Sequence, residues 1–535
     1  MPTAGLVVAR TVRRPFMNSA PISDLPDSAS VVIVGAGVSG CAIAREVVKH
    51  TPDVVIIEKE SDVADGTTKA NNAEVHSGIG EKIGTLKAKL NVRGNYLYDE
   101  FVEGLGVFLK RQGLMLVITP RTLPPNITGK LPQGIVNLLL TRVVPRLILR
   151  NGRKKGIPGQ RILTREEVFE MEPHVTRNAV AGVFDPTYGL VSPYKLTIAL
   201  AENAVQNGAR VILNTKVTDV RVEGGKVAGV VTDRGEIKTP LVVNAAGLFA
   251  DEVADMAGAG GFRIHPRKGA SLLFDRDITS DYVHSSVAEF RMFHKALSKG
   301  GGAMPTAEGN LQLGPTAIEV DDKYDTSISA EEIEEIFDRF YYLLPEFPRS
   351  AIISAFSGIR APTEEEDFVI GPSEGVHGFV NVAGIQSPGL AAAPAIAEMV
   401  MGILHDLGVP REHRADYDPV RKVPPKFSEM SNEQRDALIE KDPRYGRVIC
   451  RCEHITEGEV VDAIHAIIPA TNMDAVKRRT RVGMGRCQGG FCGFRAAQIL
   501  ASELGIPITE VTKDGGESWI FAGETKQFLT EKAER

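Results

Sequence analysis

The chain has 535 residues, 43% of them hydrophobic and 24% charged, a composition that excludes disorder, collagen or coiled coil as the main plan. Its 62 Lys and Arg against 68 Asp and Glu leave a net charge of -6, so nothing draws it generally to nucleic acid. No apolar run reaches the roughly 18 residues a membrane span needs, and five cysteines cannot build a secreted disulfide scaffold.

Residues 1–29 read as an extension, with Arg10, Arg13 and Arg14 and no acid before Asp24. They are either a frayed tail or a targeting segment. Val31-Val32-Ile33-Val34 then predicts a strand buried on both faces, Gly35-Ala36-Gly37-Val38-Ser39-Gly40 a tight turn, and Cys41 to Val48 a helix. A second strand, Val54-Val55-Ile56-Ile57, ends in Glu58. Strand, glycine turn, helix, strand and acid within about 30 residues form a dinucleotide fingerprint. Gly35 allows the turn, Gly37 lets backbone approach a pyrophosphate, Gly40 lets helix pack on strand, and Glu58 is the acceptor for ribose hydroxyls. The helix N-terminus offers bare N–H groups to the phosphates. Cys41 reads as a small buried residue.

Residues 104–165 contain twelve Lys or Arg and no acid. Within them 131–150 interleaves apolar residues with arginine, a pattern suited to an anionic membrane surface, a partner's acidic face or a plain basic surface. Leu241 to Gly247 predicts a strand entering a small-residue turn at Ala246 and Gly247. Asn381 to Leu390 predicts another, with Gly384, Gln386, Ser387, Pro388, Gly389 and Leu390 opening a helix of small residues. A helix N-terminus there suits the electron-rich edge of a reduced flavin. With no second nicotinamide fingerprint in view, FAD is the expected dinucleotide.

The layout resembles the D-amino-acid-oxidase-like flavoprotein superfamily. Gly66 to Gly78, with Thr68, Asn71, Asn72 and His76, is similar to the loop carrying flavin and catalytic histidine in FAD-dependent glycerol-3-phosphate oxidases and dehydrogenases, and in L-2-hydroxyglutarate oxidases. Phe356 to Pro362 resembles the segment bearing the substrate arginine, here Arg360. The resemblance implies His76 as base and Arg360 as anion holder; Arg267 and Lys268, of which the sequence does not fix the one pointing inward, are candidates to complete the anion pocket as substrate contacts, and Ser387 to contact either flavin or substrate. It also implies an α/β architecture: a Rossmann-type FAD-binding domain with an inserted mixed α+β substrate domain, spanning 30–410. FAD-binding parts are expected near 30–100, 195–255 and 350–410, and substrate-domain parts near 101–194 and 256–349. His174, His284 and His294 read as structural.

Residues 411–445, rich in Pro and charge, read as a linker. Cys450-Arg451-Cys452 and Cys487-Gln488-Gly489-Gly490-Phe491-Cys492 follow, with helices expected at 457–466 and 472–479. The C-x-C hook and glycine-rich second loop fit a four-thiolate iron–sulfur centre better than zinc. The module resembles the bacterioferritin-associated-ferredoxin-like [2Fe-2S] domain, implying a small helical C-terminal domain at 446–510 and a tail at 511–535.

A flavin accepts an electron pair and a [2Fe-2S] centre carries single electrons, so the pair predicts a dehydrogenase feeding quinone or partner subunits rather than an oxidase. The resemblance implies sn-glycerol 3-phosphate as substrate and a cytoplasmic protein, with 104–165 a candidate for peripheral contact with the cytoplasmic membrane face. Alternatives are a 2-hydroxy acid such as L-2-hydroxyglutarate, an amino-acid or opine dehydrogenase component, and an electron-transfer component with an inactive site.

Overall fold

The computed structural model describes residues 24–292 and 301–523. Most of the extension, His294 and the last twelve residues of the expected tail lie outside the described residues.

Strands Val31–Val34, Val54–Ile57, Arg210–Ile212, Val242–Asn244 and Phe379–Ala383 are parallel members of a six-stranded sheet, closed at one edge by the antiparallel Val369–Pro372. The β-branched runs are explained by burial on both faces. Val31 and Ile33 join a core with helices Val38–Val47, Pro193–Gln206 and Gly389–Asp406, while Val32 and Val34 join a second core on the opposite face. A three-stranded antiparallel sheet, Val217–Glu223, Lys226–Thr232 and Gly235–Lys238, covers that second face.

The inserted segments build a nine-stranded sheet backed by helix Ala330–Tyr341. Its pairings are antiparallel except Ser286–Glu289 against Leu114–Ile118. Strand Ile352–Arg360 belongs to this sheet, pairing with Arg267–Phe274. The sequence places 350–410 in the dinucleotide part; pairing along the whole strand moves Ile352–Arg360 to the substrate sheet instead.

The basic segment folds as short helices ending in Val144–Lys154. Its inner residues Val136, Leu140, Val144 and Ile148 are buried, while Ile135, Leu138, Val143 and Leu147 are exposed among arginines. Among the described residues no helix is long and apolar enough to cross a membrane.

The expected linker is ordered. Asp418 O accepts from Asn203 and Asn207, and Arg421 Nε donates to Glu202. Residues 432–441 form a helix capped by a reciprocal Ser431–Gln434 box. Beyond it, helices Glu457–Ile464, Met473–Thr480 and Gly493–Leu504 surround a separate small core. Residues 511–520 are not a loose tail: Val511 is buried in that core, and residues Thr512 and Trp519 are bridged.

Candidate active site and cysteine centre

One cavity of about 1360 Å³ runs between the two large sheets. At one end lie Gly35, Gly37 and Glu58. Gly35 has φ +102°, and a Cβ on Gly40 would strike Gly35 O, so both glycines are required for the strand–helix corner. Gly37 caps the helix without a side chain, leaving its N-terminus to the cavity. Glu58 Oε2 accepts from Ala36 N at 2.8 Å and Oε1 from Glu60 N at 3.0 Å. Burial raises its pKa above the usual carboxylate value, against those two N–H groups. Each oxygen keeps a lone pair for a hydroxyl. Cys41 is fully buried, and burial pushes its thiol pKa far up, so it is no nucleophile.

Along the cavity come Thr68, Asn71, Asn72, Ala246, Gly247, Gln386, Ser387, Pro388, Gly389 and Leu390. Thr68 Oγ1 accepts from Val38 N at 3.1 Å, tying this loop to the glycine turn. Asn71 is used in its own turn, donating to Thr68 O and accepting from Ala73 N. Gln386 Nε2 donates to Glu366. Gly40 and Gly384 do not line the cavity; Gly384, at φ +68°, turns the chain where a Cβ would come 2.7 Å from Asp367 O.

His76 lines the same cavity. Tyr188 Oη donates to Glu74 and lies 2.9 Å from His76 Nδ1. With the phenolic proton on Glu74, the Tyr188 oxygen accepts from Nδ1–H, which leaves Nε2 as the basic nitrogen. Nε2 lies 3.3 Å from Ser387 Oγ. Burial and Glu74 raise the Tyr188 pKa well above the usual phenol value, so the phenol keeps its proton. Lys155, at the end of helix Val144–Lys154, donates to Gly78 O and Ile79 O and fastens that helix over the His76 loop. Its pKa is pulled down to about 8 by burial.

Arg360 lines the same cavity. Its guanidinium lies over Gly269, where any side chain would collide with it, and donates to Thr316 O at 3.0 Å. Burial first, then the charge of Arg267, pulls its pKa down to about 10, which leaves it cationic at neutral pH. No carboxylate lies within ion-pair distance of it among the described residues.

Arg267 and Lys268 are not among the lining residues, contrary to the sequence expectation. Arg267 is held by Glu319 and Glu366, and Lys268 by Asp325 and Glu332. These ion pairs to a neighbouring strand, a helix and two loops consume the charges that an anion pocket would need.

Sequence reasoning missed Tyr188 and Glu74. The Glu74–His76 spacing of two, on one side of an extended segment, was the available signal. Tyr188 arrives only because strand Gly189–Val191 pairs with Glu74–Val75.

The four cysteines of the two hooks come together. Cys452 Sγ lies 4.0 Å from Cys487 Sγ, and a thiol hydrogen bond from Cys492 pulls the Cys450 pKa down to about 6. Cys450 and Cys492 are buried, Cys452 is half-buried and Cys487 is exposed. Among the described residues no three His, Cys, Asp or Glu converge on a single ion; a [2Fe-2S] centre shares its four thiolates between two irons and does not ask for that. Buried charges fasten this module to the dinucleotide sheet: Arg478 and Arg479 pair with Asp62, and Arg478 also with Asp65 and Asp514. Asp514 lines the main cavity too and pairs with Lys69.

Residues 30–402 match the family model described as FAD dependent oxidoreductase, and residues 448–502 match the BFD-like [2Fe-2S] binding domain. The chain is 41% identical over 499 residues to a glycerol 3-phosphate dehydrogenase of Caloramator mitchellensis, covering 93% of this chain and 98% of that one. It is 25% identical over 511 residues to one subunit of the anaerobic glycerol-3-phosphate dehydrogenase of Escherichia coli K12, covering 88% of each. Among solved structures, the dithionite-reduced L-alpha-glycerophosphate oxidase of Mycoplasma pneumoniae with FAD bound aligns with a TM-score of 0.66 at 25% identity, over 75% of this chain and all of that one. The cavity fits a bound FAD: a helix N-terminus opening on it through a glycine, a buried acid with free lone pairs and a long slot are what a dinucleotide requires. Four thiols on two hooks, the second rich in glycine, fit an iron–sulfur centre.

Proposed function

Since this chain belongs to the FAD-dependent oxidoreductase family and carries a BFD-like [2Fe-2S] domain behind it, we propose that it dehydrogenates sn-glycerol 3-phosphate to dihydroxyacetone phosphate and releases the electrons singly. FAD bound in the cavity would supply an acceptor for the hydride of the carbinol carbon. His76 Nε2 takes the hydroxyl proton, and the imidazolium so formed is steadied by Glu74, both directly, with Oε2 3.7 Å from Nε2, and through Tyr188. Arg360 holds the anionic group of the substrate by its planar fork. Ser387, beside Nε2, orients the reacting hydroxyl. Cys450, Cys452, Cys487 and Cys492 would hold a [2Fe-2S] centre, which takes electrons one at a time.

The observation that carries the reading is the meeting, in one slot, of the His76–Tyr188–Glu74 relay and an Arg360 that has no ion pair among the described residues. The named relatives supply the substrate. Anaerobic mixing with glycerol 3-phosphate should bleach the flavin absorbance near 450 nm, and 2-hydroxyglutarate should not; the reverse result transfers the site to 2-hydroxy acids. The exposed apolar and arginine face of 133–150 would rest on anionic headgroups or on a partner protein. Release from membranes by high salt supports the lipid contact, and a protein already free at low salt contradicts it.

A further inference from the structure

The cysteine centre is open on one side, and that side has a distinct chemistry. Cys487 is exposed, flanked by Gln488, Gly489 and Gly490, which offer little to screen its sulfur. Phe491 and Phe494 follow, 63% and 60% exposed, large apolar groups that a free surface does not favour. Arg451, between the first two cysteines, lies over the Phe491 ring at 4.8 Å and so spans the mouth from one hook to the other. The cavity of the active site does not reach these residues.

Among the described residues the arginines at this rim are paired with carboxylates in every case but one. The loops 447–454 and 481–495 contain five arginines and one acid, Glu453. Glu453 is buried and spent on Arg481 and Arg276. Arg447 and Arg495 share a single carboxylate, Glu457. Arg486 is matched by Asp275 and Asp277 and marks where the module meets the large sheet. Arg451 has no carboxylate within ion-pair distance among the described residues.

We propose that the Arg451–Phe491–Phe494 rim is the docking surface for an acidic one-electron carrier protein, which takes electrons at the Cys487 edge. This rests on the C-terminal module being the electron exit. Oxidising one substrate alcohol to a ketone releases two electrons and two protons. Two carriers are each reduced by one electron, and the protons leave to solvent. Exposed aromatic groups beside an arginine that no carboxylate neutralises have the composition of a transient, salt-sensitive protein interface.

The test uses the holoenzyme and one haem protein in two charge forms, native basic cytochrome c and its succinylated acidic form. The enzyme is reduced with glycerol 3-phosphate or, separately, by photoreduction of its flavin. The acidic form should be reduced on the order of tenfold faster at low salt, with the preference fading as ionic strength rises. Only that form should co-sediment with the enzyme. Arg451→Glu should abolish the preference and the co-sedimentation, while flavin bleaching by substrate stays unchanged. Phe494→Ser, outside both hooks, should weaken both and serves if Arg451→Glu loses the cluster absorbance. Equal rates, a preference for the basic form, a preference that survives both substitutions, or reduction of a short-chain quinone alone would overturn the proposal. Failed bleaching by glycerol 3-phosphate, with the charge preference intact after photoreduction, would instead remove the substrate reading.

Discussion

His76 draws its role from its neighbours. A lone loop histidine has two exchangeable tautomers, but here the Tyr188 proton is committed to Glu74, which fixes the imidazole proton on Nδ1. His76→Ala should lower the rate of flavin reduction by about 10²–10⁴-fold with substrate still binding. Tyr188→Phe should give a smaller loss, seen in single-turnover kinetics, because the base remains while its tautomer is freed. A near-native rate in His76→Ala removes the residue from the role of base. Arg360 is the complementary case. It needs Gly269 beneath it, so the glycine in the next strand matters as much as the arginine. Neither the Gly269 requirement nor the capture of Arg267 by Glu319 and Glu366 could be read from one strand alone.

At the scale of elements, helix Gly389–Asp406 shows how a broken rule is repaired. Pro394 lies inside it and brings no N–H to the carbonyl four residues back, that of Leu390. Tyr98 Oη, from helix Leu86–Val102, donates to that carbonyl at 3.1 Å. Tyr98 is fully buried, so Tyr98→Phe leaves a buried acceptor unsatisfied. It should cost about 1–3 kcal/mol in chemical unfolding; an unchanged midpoint would show that the carbonyl finds another donor. Contiguous patterns were legible in advance. The strand, glycine turn and acid of 31–58 lie within one short stretch, and each cysteine hook is local. The helix at 432–441 was missed because its charges resemble linker composition, although its Ser431–Gln434 box is a written start signal. Strand Ile352–Arg360 was assigned to the wrong layer because its partner lies far back in the chain.

Across the whole molecule, the cluster module is held by charges taken out of water. Burial pushes the Asp62 carboxyl up, but Arg479 and Arg478 outweigh it and hold it below the usual 3.8. Its share of stability is therefore present above 3.8 and lost as pH falls through its depressed value. Asp65 behaves oppositely. Burial carries it up to about 6 despite Arg478 and Lys69, with Asp514 adding to the rise. It favours the fold in acid, and that contribution fades as pH rises through about 6. At pH 7, Asp62→Asn should cost about 3–5 kcal/mol of docking stability, and Asp65→Asn clearly less. Thermal scans of both variants check this, and equal losses would mean the two acids are interchangeable.

Asp514 pairs with Arg478 and Lys69 and also forms part of the dinucleotide wall. One carboxylate thus belongs to two binding equilibria, and coupling between equilibria is reciprocal. Whatever settles in the slot against Asp514 must equally steady the module that carries it, so saturating the apoprotein with FAD should raise the melting temperature of the cysteine-bearing module as well.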